Sequence, residues 1–165
     1  MLFRSFAGYF VPNVWTDHWI IEYWDGRWVR VDPELDDGWL AKNAGGITSE
    51  ALATNMYRSG AESWLACRSG ELDANRFNMG GSNWGIGEIR GSVAYDFAAV
   101  NLDEMLPWDV WGRMEDAYKS LTGDDYDTHL DEVSELVVRG GFDEVRSSYL
   151  ADDLLRVPDA MTIPA

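Results

Sequence analysis

The stretch HWIIEYWDGRWVRVD, from His18 to Asp32, decides how this chain folds. Aromatic and β-branched residues crowd both sides of Asp25-Gly26, a pattern of two short strands joined by a tight turn. The turn sets the register, and the register sets the chemistry. A two-residue Asp25-Gly26 loop pairs residues whose numbers sum to 51, and each face then mixes charged and apolar side chains. A three-residue loop, Trp24-Asp25-Gly26 with Gly26 in the left-handed conformation, pairs residues summing to 50. One face then carries Trp19, Ile21, Tyr23, Arg27, Val29 and Val31; the other carries His18, Ile20, Glu22, Trp28, Arg30 and Asp32. The cleaner segregation selects the second register. It sets His18 directly opposite Asp32, with Cβ atoms about 4.5–5.5 Å apart. A carboxylate placed there accepts a hydrogen bond from the imidazole, fixes its tautomer and raises its basicity.

Working outward, residues before about 35 read as strand, beginning with Phe3 to Val11. Beyond Asp36 the apolar spacing turns helical. Thr48 or Ser49 caps a helix expected to run to about Cys67. A glycine-rich loop (Gly80, Gly81, Gly85, Gly87) leads into a helix from Glu88 to Asn101, with Ile89, Val93, Phe97 and Val100 on one side. Pro107-Trp108-Asp109 opens another helix toward Leu121. Residues 127–138 and 142–150 repeat helical spacing around the Gly140-Gly141 stop, and the tail Pro158–Ala165 reads as extended. The expected fold class is α+β: a small N-terminal antiparallel sheet packed by several helices, one domain over residues 1–165.

Composition narrows the function. The 165 residues hold 29 acids and 13 bases, a formal charge of −16. Such a balance argues against nucleic acid, whose binding draws chiefly on Lys and Arg. From Asp103 to Asp159 there are 16 carboxylates and five bases, so −11 of the −16 falls on the helical half and reads as a solvated face. The clusters Asp124-Asp125-Asp127 and Asp152-Asp153 lack an EF-hand pattern, so no metal is expected. Gly85-x-Gly87-x-x-x-Gly91 lacks the spacing and the lysine of a phosphate loop, and no cofactor is expected. No apolar run approaches a membrane span, and the first residues carry no export signal, so the expected setting is cytoplasmic. The single cysteine, Cys67, excludes an internal disulfide.

A base with an orienting carboxylate calls for a nucleophile. At this point the chain resembles a known group. Phe-Ala-x-Tyr-Phe (residues 6–10), Asp-His-Trp-x-x-Glu-Tyr-Trp (17–24) and Arg-Trp-Val-x-Val-Asp (27–32) resemble the C-terminal half of the catalytic core of the transglutaminase-like superfamily, papain-like cysteine hydrolases and acyltransferases. Residues 67–81 and 84–112 are similar to the helical extension of its bacterial members. The resemblance implies that His18 is the general base and Asp32 its orienter. It also implies a nucleophilic Cys upstream of the His, yet none of the 17 residues before His18 is Cys. Cys67 follows the base, in a segment that matches outside the family's active site, and reads as a small buried side chain. Ser5, Ser49 and Ser63 offer hydroxyls without a supporting context.

These residues predict a transglutaminase-like domain, inactive as an isolated chain because its thiol is missing. The alternatives are a cysteine-dependent peptidase or acyltransferase completed by another segment, a partner or Cys67, and a non-catalytic protein binding a peptide or other ligand in the same cleft. Trp15 and Trp28, flanking the His/Asp face, are the expected ligand-contacting residues. An uncovered sheet face further predicts a homo-oligomer or a companion chain.

Overall fold

The computed structural model describes residues 2–32, 34–43, 56–78, 85–103 and 123–157. Strand β1 (Leu2–Val11) turns through Pro12-Asn13 into β2 (Val14–Trp24), and β3 (Trp28–Val31) completes the hairpin. A short helix α1 (Asp37–Asn43) follows; β4 (Tyr57–Ser59) runs directly into α2 (Gly60–Arg68). A single 3₁₀ turn leads to β5 (Phe77–Asn78), then helices α3 (Ile86–Val100), α4 (Gly123–Arg139) and α5 (Phe142–Ala151). The sheet order is β3-β2-β1-β4, antiparallel throughout, with β5 adding a parallel pair to β2. The fold is α+β, with the sheet drawn mainly from the N-terminal residues.

The first hairpin turns on Asn13, whose φ of 63° suits a short polar side chain in the left-handed region. The second corrects the expected register. Trp24 pairs with Trp28 and Ile21 with Val31, so pair numbers sum to 52, and the loop is Asp25-Gly26-Arg27. Gly26 takes the left-handed conformation, φ 68°, in the middle of that loop. A shift of two keeps every side chain on its expected face, because the strand period is two. It does move Asp32 one pair beyond His18, so the two are diagonal neighbours.

Burial of the hairpin also departs from expectation. His18 and Ile20 are buried on the mixed face, whereas Ile21, Tyr23 and Trp24 are 36%, 45% and 64% exposed. Apolar segregation located the faces but not the core. On the all-apolar face burial falls off from Trp19, which packs edge-on against Tyr95 of α3 at 5.2 Å, toward the turn.

Helix α2 is capped by Ser59, directly after β4, not by Thr48 or Ser49. Ser59 accepts from the Glu62 N–H, and Glu62 accepts from the Ser59 N–H, a reciprocal cap that fixes the strand-to-helix corner. The next residue must be glycine. A Cβ on Gly60 would lie 2.3 Å from the Ser92 carbonyl carbon, so α2 and α3 cross backbone to backbone there. Helix α3 buries Ile89, Val93 and Phe97 as its spacing predicts, yet Ala94, Tyr95, Asp96 and Ala98 on its other sides are buried too. It is the central helix, with no solvent stripe over most of its length. Helices α4 and α5 match residues 127–138 and 142–150 with their ends extended.

The acidic helical half is only partly a solvated face. Asp127 pairs with Arg90 at 2.7 Å, and Asp131 takes both Arg68, at 2.9 Å, and the Trp64 indole N–H, at 2.8 Å. These contacts tie α4 to α2 and α3. No cluster of His, Cys, Asp and Glu among the described residues has the makings of a metal site. The expected start of α2 at Thr48 or Ser49, the loop glycines Gly80 and Gly81, the helix from Pro107 to Leu121 and the tail Pro158–Ala165 lie outside the described residues.

Candidate active site

The site is built on β2, an interior strand of the sheet. His18 sits midway along it, opposite Ser5 of β1, which in turn pairs with Ser59 of β4. Asp32 follows β3 directly. His18 Nε2 lies 2.7 Å from Asp32 Oδ2, with the residues 8% and 1% exposed. A carboxylate can only accept, so Nε2 is the donor, and Nδ1 is the ring nitrogen that carries any proton transfer.

Asp32 is a hub. Its Oδ2 also accepts from the Tyr57 hydroxyl at 2.9 Å, and its Oδ1 accepts from the Glu34 N–H at 2.9 Å. A buried carboxylate needs such donors, since without them its desolvation would favour the neutral acid. Aromatic rings enclose the imidazole. Phe10 meets it edge-on at 4.8 Å, and Trp39 of α1 lies 5.5 Å behind Phe10. The Tyr57 ring is 6.3 Å from the imidazole.

The expected ligand contacts fare differently. Trp15 is three residues from His18 and therefore on the opposite face of β2. There it is buried, stacked on Phe77 at 6.1 Å and covered by the Arg58 guanidinium, so it is a packing residue and does not flank the His/Asp pair. Trp28 pairs with Trp24 in the ladder; its side chain lies outside the described residues, as does that of Ser5. Ser49 lies outside them altogether. Ser63 is wholly buried in α2, and its hydroxyl has no hydrogen-bond partner among the described residues.

Cys67 is not an activated thiol. Burial, and then Asp73, push it up to about 11, only partly opposed by Arg58. Thiolate chemistry at neutral pH needs the opposite environment, a nearby cation or helix N-terminus. A groove of about 740 Å³ lies away from His18, between α2 and α4, and its Arg58 and Arg68 are already engaged by Glu71 and Asp131.

Sequence reasoning missed Tyr57, Phe10 and Trp39, whose approach depends on strand order and on the packing of α1. It also missed the second His–Asp pair. His129 Nε2 of α4 is 2.9 Å from Asp152 Oδ2, and Asp152 Oδ1 caps the turn by accepting from the N–H groups of Leu154 and Leu155. The Asp152 hydrogen bond raises His129, while the bond to His129 and those backbone donors outweigh burial and lower Asp152. With its imidazole 28% exposed, the pair fastens the chain after α5 to α4.

No family model, curated protein or solved structure matches this chain.

Proposed function

We propose that this chain is a transglutaminase-like domain that holds the base and orienter of cysteine-dependent acyl transfer, His18 and Asp32, without a competent thiol. On this reading the isolated chain is inactive. A Cys supplied by a companion chain or another segment would complete a site for amide bonds of a peptide or protein, in a cytoplasmic setting. The observation that supports it is the buried 2.7 Å contact between His18 Nε2 and Asp32 Oδ2, which orients Nδ1 for proton transfer. The raised Cys67 thiol supports the inactive half of the reading. A second reading, a ligand-binding protein without catalysis, is favoured by the Phe10 ring set edge-on against His18 with the Trp39 ring behind it.

Labelling with iodoacetamide at neutral pH separates an active from an inactive chain. Cys67 should react slowly, and at the same rate in the wild type and in His18→Ala. Rapid labelling of Cys67 that disappears in His18→Ala would show a working Cys–His pair and overturn the proposal.

A further inference from the structure

We infer that Tyr57 is the third member of the His18–Asp32 unit, a positioning residue that sets how much of the Asp32 charge the imidazole feels. The inference rests on the reading of His18 as a proton-transfer group.

Tyr57 comes from β4, which is separated from β2 by β1, and its backbone pairs with Ala7. Its hydroxyl reaches Asp32 Oδ2 at 2.9 Å, the same oxygen that His18 Nε2 approaches at 2.7 Å. Tyr57 and Asp32 are each 1% exposed, so bulk water does not substitute for the phenol. Packing alone asks only for a ring of this size, which Phe would supply. The hydroxyl is spent on the carboxylate. Two donors on one oxygen draw on the same electron density, and a low local dielectric magnifies the competition. Tyr57 therefore holds Oδ2 in place while tempering its grip on the imidazole N–H. The Glu34 N–H fixes the other oxygen at 2.9 Å, so the carboxylate has little freedom to rotate away from either donor.

NMR of the imidazole protons in the full chain tests this, because the only other histidine, His129, has its own partner and serves as an internal reference. In the wild type, neutral His18 should carry its proton on Nε2. Tyr57→Phe frees Oδ2 for the imidazole, so the Nε2–H resonance of His18 should move downfield while His129 stays in place. Site-specific 3-fluorotyrosine at position 57, a stronger donor of nearly the same size, should move it upfield. This second variant decides alone if Tyr57→Phe does not fold. A His18 resonance that shifts no more than that of His129 in the variants that fold would reduce Tyr57 to a packing residue and overturn the inference. A wild-type His18 protonated on Nδ1 would instead overturn the reading of His18 itself, a result visible before any variant is made.

Discussion

Two buried carboxylates, Asp32 and Asp96, show how a single residue's surroundings decide its chemistry. Asp32 has donors on both oxygens. Asp96, wholly buried on α3, accepts from the Ala61 N–H at 2.8 Å, and its Oδ1 has no partner among the described residues. Burial raises it from 3.8 to about 7, against the hydrogen bonds of Ala61 and Ser59, and Glu62 and Glu22 add to the rise. A carboxyl that holds its proton more tightly when folded favours the folded state most at low pH. Its contribution is lost as pH climbs from about 4 to about 7 and is flat above. Asp96→Asn keeps an oxygen for Ala61 and removes the buried charge. Urea denaturation at pH 8 should find this variant more stable by roughly 1–3 kcal/mol, with a shallower loss of stability across that pH window. Equal or lower stability at pH 8 would mean that Asp96 is stabilised as the anion.

Among the elements, the β4–α2 corner carries the most constraint. Ser59 caps the helix, Gly60 admits the α3 backbone, and Tyr57 two residues earlier reaches Asp32. The corner thus links the helical core to the candidate site. Gly60→Ala should destabilise by about 1–3 kcal/mol in thermal or urea unfolding, the usual range for an overpacked contact. It should also disturb the His18 N–H resonance, because moving α2 off α3 moves β4. An ordinary glycine-to-alanine gain in helix stability would show that the two backbones can separate freely.

For the whole molecule, the exposed hairpin end matters most. Ile21 and Tyr23 present apolar surface on one face of the hairpin end, beside Val29 and Val31, and Trp24 at the turn presents it on the other. Apolar surface left open in this way often marks a contact with another chain. We expect self-association or capture of a companion chain through this hairpin. In sedimentation equilibrium the chain alone should form dimers. Salt should strengthen them, since each copy carries −16. Replacing Tyr23 and Trp24 together by Ser should return the monomer. A wild-type chain that stays monomeric at high salt would leave only a companion chain to cover the patch.

The sequence by itself determined the fold class, the two-sided alternation of the His18–Asp32 hairpin, and helices α3, α4 and α5 to within a few residues. These are local properties: periodicity, stop signals and turn residues act over a few neighbours. It also brought His18 and Asp32 together, because a register shifted by two keeps parity and leaves a diagonal pair within side-chain reach. Only the tertiary structure decided which parts of each hairpin face are buried, since both faces hold enough apolar surface and the elements that cover them come from remote segments. It alone brought Tyr57 to Asp32 across 25 residues of chain and placed Trp15 against Phe77, away from the His/Asp pair. It also set Cys67 where burial and Asp73 keep the thiol protonated. Those outcomes depend on strand order and helix crossings, which arise from contacts between segments remote in sequence.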